Sequence, residues 1–238
     1  MNTYLSSSQL KDEAKDKLTG HYGILIGCAV LVSVISSAAS IIPMFFSASN
    51  TLPAFFLSEA ISFILSVFIG VFSIGTTLIY MKLSHGSQAS VSDLFYGFSH
   101  IQTALGISLV ITGLSTLLGL SYQIPFNLYR FTGREVYYFA TFLCLALALV
   151  ILIPLSIALS QCCFLMLDFP NKSAKELLAL SFRITKGHRL RLFYIQVTFI
   201  PLFLLGILSI IGLLWVYPYF NMTMTRFYFD IMKPVQKN

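Results

Sequence analysis

The sequence predicts an all-α, polytopic membrane helix bundle: six transmembrane helices with three interfacial amphipathic helices, arranged as three tandem helix-hairpin repeats. Three observations predict it. Hydrophobic residues make up 57% of the 238 and charged residues 10%, where soluble domains carry about 25% charged residues. The mean hydropathy is +0.83. The apolar residues are gathered into runs of spanning length, separated by short polar-flanked segments that share one pattern. A water-facing surface cannot be built from so few charges, so residues 1–238 read as a single integral membrane domain. With Phe 22, Tyr 12 and Trp 1, an aromatic belt would be mostly Tyr and Phe.

A spanning helix needs about 20 mostly apolar residues. The first candidate is Gly20 to Ile42, ended by Pro43; the second is Phe55 to Tyr80; the third is Ala104 to Tyr122. The fourth, Tyr138 to Leu167, is long and interrupted by Pro154. The last two share Leu190 to Met232 and are joined by a tight turn near Ser209 to Gly212. A single span plus an interfacial helix is the competing reading of that stretch. Residues 1–40 are not expected to be a cleaved signal peptide, because the leading region is acidic as well as basic and the apolar stretch is long for one.

The three intervening segments read "SSSQLKDEAKDKLTG", "SVSDLFYGFSHIQTA" and "SAKELLALSFRITKG". Each opens with Ser and a partner three residues on: Ser6 with Gln9, Ser90 with Asp93, Ser173 with Glu176. The Gln and Glu cases fit a capping box, in which the two residues satisfy each other's free N–H groups; Asp93 is a looser match. Leu10, Leu94 and Leu177 follow immediately, and Gly20, Ala104 and Gly187 stand fourteen residues after each Ser. Ser90 lies 84 residues after Ser6, and Ser173 lies 83 after Ser90. This predicts repeat units of about 6–89, 90–172 and 173–232, each one amphipathic helix and two spans. Repeats of two spans keep one orientation, so they are parallel repeats about an axis along the membrane normal.

Basic residues set the orientation. Twelve fall on one side by this scheme: Lys11, Lys15, Lys17, Lys82, Lys172, Lys175, Arg183, Lys186, Arg189, Arg191, Lys233 and Lys237. Arg130 and Arg134 fall on the other. Both termini are therefore expected in the cytoplasm, and the net charge of +6 is expected to face anionic lipid headgroups. No nucleic-acid partner is expected, since no domain is left to carry a basic patch. In "SAKELLALSFRITKGHRLRLF", Leu177, Leu178, Ser181, Phe182 and Thr185 share a helix face while Lys175, Arg183 and Lys186 lie away from it. Such a helix lies in the interface, or docks on a partner protein. Gly187 then permits a sharp bend into the next span.

The stretch "WVYPYFNMTMTRFYFDIM" places Arg226, and Asp230 four residues later, in an apolar aromatic run. Arg226 would sit about 9 Å from the helix end, within reach of the headgroups by extending its side chain. Asp230 is one turn nearer water, at a spacing that allows the two to pair. The alternative is a lipid-phosphate or substrate-anion contact, with Arg226, Lys186, Arg189 and Arg191 as candidates. The other polar groups within spans are Ser and Thr, with Gln161 and Gln196. They read as helix-packing contacts or as the lining of a polar cavity. Glu59 is the carboxylate at the outer edge of the second span.

Cys28, Cys144, Cys162 and Cys163 sit in apolar stretches without C-x-x-C spacing, and His21, His85, His100 and His188 form no ligand cluster. No metal site, cofactor or catalytic set is expected.

The motifs "LKDEAKDKLTGHYG", "DLFYGF", "DFPNKSAKELLALSFRITKGHRLRLF" and "LLWVYPYFNMTMTRFYFDI" resemble those of a family of bacterial integral membrane proteins, domain of unknown function 975. The resemblance covers nearly the whole chain, with Pro218–Tyr219 and Phe227–Tyr228 standing as in the family pattern. Two departures stand out. "IPLSIALSQCC" lacks the Gly and Tyr expected after Pro154, and Arg226 replaces an expected small residue. The family is similar in layout to the membrane domain of some glycerophosphodiester phosphodiesterases. That layout implies a lipid-related or accessory role. The expected function is accordingly a non-catalytic accessory, scaffold or self-protection factor in the bacterial cytoplasmic membrane, with lipids and another membrane protein or transporter as partners. The alternative is a small transporter or channel using the bundle interior.

Overall fold

A computed structural model describes residues 4–46, 51–209 and 211–233. Among them the secondary structure is helical throughout. Helix α1 is Ser7–Leu18, α2 Tyr22–Phe46 and α3 Leu52–Ser84; a 3-10 turn, Val91–Phe95, leads into the one-turn α4, Tyr96–Ser99. Then come α5 Ile101–Thr132, α6 Glu135–Leu159, α7 Cys162–Asp168, α8 Ala174–Thr185, α9 Arg189–Val197, α10 Ile200–Ser209 and α11 Leu213–Met232.

Among the described residues, five helical stretches are long and apolar enough to cross a membrane: α2, α3, α5, α6 with α7 (Glu135–Asp168), and α9 with α10 (Arg189–Ser209). Helix α11 has 20 residues, about 30 Å at 1.5 Å per residue, but its charges lower its hydropathy. Residues 190–232 thus hold two helical stretches joined by a turn, where Ser209 Oγ accepts the Gly212 N–H at 3.0 Å. Ile210, and Lys237 of the basic tally, lie outside the described residues.

Several expected boundaries move. Pro43 does not end α2, which runs on to Phe46 with Pro43 buried inside it. Helix α5 runs ten residues past Tyr122 with Pro125 inside. Pro154 lies within α6, and the break falls later, at Ser160 and Gln161. Pro218 is likewise buried inside α11. A long helix in lipid tolerates one missing N–H, because neighbouring helices and hydroxyls re-satisfy the freed carbonyls. At the α6–α7 break a neighbouring hydroxyl takes up a carbonyl freed by the break itself: Ser181 Oγ of α8 donates to the Ala158 carbonyl at 2.6 Å.

The three polar-flanked segments all form capping boxes, at Ser6–Gln9, Ser90–Asp93 and Ser173–Glu176. The three following leucines, Leu10, Leu94 and Leu177, are each fully buried. The first and third segments are helices of 12 residues each, and Gly20 (φ +83°) and Gly187 (φ +91°) follow them in the left-handed region that only glycine enters without strain. The second segment differs: it is a 3-10 turn, and the span begins at Ile101 rather than Ala104. A Cβ on Gly75 would stand 2.0 Å from the Leu94 carbonyl oxygen, and one on Gly97 2.6 Å from that of Val71. The segment is thus pressed backbone to backbone on α3, with no room for a full helix.

The second and third segments pack on helices that precede them in the chain, and the first packs on the last helix. The 3-10 turn lies on α2 and α3, α8 on α5, α6 and α7, and α1 closes the ring by docking on α11. The buried core gathers at this end. It joins Leu10, Ile74, Ala104, Leu165, Leu177, Ile195 and Phe227 in one cluster. The other halves of the long helices are open: α2 buries only Leu25, Cys28 and Pro43, and α5 buries nothing beyond Ser108.

Candidate functional site

The end of the bundle that holds the core also collects the charges. The N–H of Leu5, just before the α1 cap, donates to Asp230 Oδ2 at 3.2 Å. Arg191, near the start of α9, donates through Nη2 to Asp230 Oδ2 at 2.5 Å and to the Leu5 carbonyl. Asp230 is 3% exposed, so a carboxylate buried there needs these donors. The Arg191 guanidinium also lies over the rings of Phe227 and Tyr4, 5.1 and 5.5 Å from their centroids. Since the start of α9 meets the end of α11, the α9–α10 stretch and α11 run antiparallel.

Arg226 does not pair with Asp230. Its Nε donates to Glu13 Oε2 at 2.7 Å, its Nη2 donates to the same oxygen, and its Nη1 donates to Ser84 Oγ at 3.2 Å. The four-residue spacing on α11 permits the expected pair, but α1 and α9 each deliver a partner of opposite charge from outside the helix. A third link is the Tyr228 hydroxyl, which donates to the Asp168 carboxylate at the end of α7, with its ring stacked on Phe164 at 4.9 Å. The fourth is Lys82 Nζ to Asp93 Oδ1 at 2.7 Å. His85, Asp168, Arg226, Asp230 and Lys233 line a cleft of about 280 Å³ among these helix ends.

The electrostatics follow the contacts. Burial pushes the Asp93 carboxyl up, but hydrogen bonds from Lys82 and from the Ser90 N–H outweigh it and hold the group below its ordinary range. The Ser173 N–H and hydroxyl hold Glu176 low. Burial, then the Arg191 charge, keep His188 below the usual imidazole value, with Asp230 opposing. Burial and the neighbouring Lys15 lower Lys11, whose ammonium sits 4.6 Å from the centroid of the Phe199 ring.

The candidate anion contacts fall into two kinds. Arg191 and Arg226 are engaged by internal carboxylates. Lys186 is exposed at the C-cap of α8, and Arg189 donates to the Phe182 carbonyl at 3.3 Å and lies over its ring. Tyr219 packs edge-to-face on Phe199. All four cysteines are free thiols. Among the described residues no three His, Cys, Asp or Glu side chains converge as a metal cluster would. Glu13, Ser84 and Asp168 were not singled out by sequence. Glu13 lies one helical turn from the capping partner Gln9, but its partner is 213 residues away, a separation that no local pattern reports.

The arrangement is a clasp: Leu5 and α1, the end of α11 and the start of α9 are tied by buried or half-buried charge-assisted hydrogen bonds. The family described as "Protein of unknown function (DUF975)" matches residues 1–234. The chain belongs to this family. No curated protein and no solved structure matches it. The DUF975 match takes in every element of the clasp, from Leu5 to Lys233.

Proposed function

We propose that this DUF975 protein is a non-catalytic, multi-pass accessory or scaffold protein of the bacterial cytoplasmic membrane. It crosses six times as three tandem units, with both termini and the three surface segments on the cytoplasmic side. The observation that carries the reading is the clasp. Arg191, Arg226, Asp230 and Glu13 neutralise one another in fixed contacts, which suits holding a shape. The exposed Lys172, Lys175 and Lys186 at the same end are placed to meet anionic headgroups. The open outer halves of α2, α5 and α6 offer broad apolar faces to lipid or to another membrane protein.

The alternative, a small transporter or channel, draws support from a hydroxyl-lined groove between α3 and α5. Reconstitution into liposomes separates the two. The accessory reading expects solute and ion flux at the leak level of empty vesicles, and photo-crosslinking in native membranes is expected to give a stoichiometric adduct with one integral membrane protein. Saturable flux would overturn it in favour of transport, and adducts with lipid alone would overturn the scaffold role.

A further inference from the structure

The groove between α3 and α5 has a volume of about 390 Å³ and sits away from the clasp. Its lining includes Glu59, Ser62, Ser66, Thr112, Thr116 and Gln123, with Phe63 and Tyr122 as aromatic walls. Glu59 is the eighth residue of α3, about 10 Å along the helix from its start. It is half-buried, and among the described residues it has no ion-pair or hydrogen-bond partner. Glu59 lies towards the outer end of the span, where a carboxylate is less costly than at mid-depth, but half-burial without a partner still penalises its charge and marks it as a candidate functional position. The carboxylates of the clasp, by contrast, are all held by cations or N–H and O–H donors.

The hydroxyls tell the same story. Membrane helices ordinarily satisfy Ser and Thr by bonding back to a carbonyl one turn earlier. Ser58, Ser73, Thr76 and Thr77 on α3 do so, as do Ser115, Ser121 and Thr132 on α5. Ser62, Ser66, Thr112 and Thr116 make no such bond among the described residues, and all four line the groove, as does the back-bonded Ser115. Ser62 and Ser66 also line an adjoining groove of about 420 Å³ against Ser36 and Ser40 of α2.

One carboxylate, neutral oxygens and two rings are a poor set for a divalent metal, which takes several carboxylates. They suit a primary ammonium, which offers three N–H donors and is attracted to ring faces. The remaining lining is Ile111, Ser115 and Gly119; outside the groove on the same helix, Leu109 and Leu117 are 53% and 68% exposed, so a hydrocarbon tail can leave the groove along an apolar helix surface into lipid. We propose that the α3–α5 groove binds a primary ammonium group carried on an apolar tail, with Glu59 as counter-charge and the free Ser and Thr hydroxyls as hydrogen-bond partners. Two sources carry this chemistry: an aminolipid headgroup and a free amphiphilic amine. The proposal concerns binding and does not depend on the accessory reading.

The test uses the full chain in phosphatidylcholine nanodiscs. Dodecylammonium is titrated and binding read by thermophoresis. A second arm adds phosphatidylethanolamine and reads retained lipid by native mass spectrometry. Binding in the first arm alone assigns a free amine; retention in the second assigns the lipid. Either is expected to weaken at least about tenfold in Glu59→Gln, equivalent to about 1.4 kcal/mol, while Glu59→Asp keeps most of it. Dodecyltrimethylammonium, which lacks N–H donors, is expected to bind more weakly than dodecylammonium. Equal binding by Glu59→Gln, equal binding of the trimethyl compound, or no binding in either arm would overturn the proposal. Should Glu59→Gln fail to assemble, the double variant Thr112→Val/Thr116→Val serves: several-fold weaker binding is expected, and unchanged binding would overturn the assignment.

Discussion

Arg226 shows how a charge reads differently alone and in place. On the helix its neighbour is Asp230; in the fold its partner is Glu13 of α1, with side chains 20% and 37% exposed. A double-mutant cycle on thermal unfolding in detergent should give a coupling of about 1 kcal/mol for Arg226→Ala with Glu13→Ala, the scale of half-exposed pairs. The cycle of Arg226 with Asp230 should give about 0.3 kcal/mol or less. The Lys82–Asp93 pair makes a pH prediction. Its carboxyl is held below its ordinary 3.8, so the unfolded chain takes up the proton first as pH falls. The stabilisation is therefore complete above about pH 5 and is lost as pH drops through the lowered value. Asp93→Asn should flatten that acid limb of the unfolding profile and leave the neutral region lower by about 1 kcal/mol. A mutant that keeps the wild-type acid limb would contradict the assignment. His188 adds a milder slope of the same sign: its lowered value makes stability fall as pH drops below about 6.5.

At the level of elements, the glycines of α3 and α5 divide by what their missing side chains leave room for. Gly75→Ala puts a Cβ 2.0 Å from the Leu94 carbonyl oxygen, a backbone atom that cannot rotate away. It should cost at least about 2 kcal/mol and loosen the 3-10 turn, read as faster hydrogen exchange across residues 91–99. Gly113→Ala, whose Cβ meets only a ring carbon of Phe63 at 3.9 Å, should be within about 0.5 kcal/mol of wild type or more stable, since alanine favours helix. Sequence foretold the three Ser-capped starts, because capping is a local pattern; that the leucines following them, Leu10, Leu94 and Leu177, are buried is seen only in the fold. The second segment's collapse to a 3-10 turn was not legible, since it depends on Gly75 meeting the Leu94 backbone and Gly97 meeting the Val71 carbonyl across the α3 contact. Proline positions misled for a related reason. In water Pro43 and Pro154 would end a helix, but a long apolar helix carries them through, and the real break follows the polar pair Ser160–Gln161.

For the whole molecule, the ring of contacts makes sense of the repeat spacing. In the proposed arrangement of three units, each laying a surface segment on the unit before it and the first closing on the last, every segment must lie at the same end of the bundle. That requires an even number of crossings per unit. The clasp fits this scheme: Leu5, Ser84, Asp168 and Arg191 come from four places in the chain, yet each hydrogen-bonds to a side chain near the end of α11, Ser84 to Arg226, Asp168 to Tyr228, and Leu5 and Arg191 to Asp230. Charge counting could anticipate a common side for these residues but not the pairs between them, which are fixed by docking rather than by spacing. The consequence is testable by labelling. In a cysteine-free background, cysteines at Ser8, Ser87 and Lys172 should react with a membrane-impermeant maleimide only in inverted vesicles, and cysteines at Thr132 and Ile211 only in intact cells. Ile211 decides the matter, because it sits in the turn between α10 and α11. If it labels with Ser8, then α9–α10 and α11 do not both cross. The last unit would then differ from the other two, and the ring would have to close without a threefold arrangement of spans.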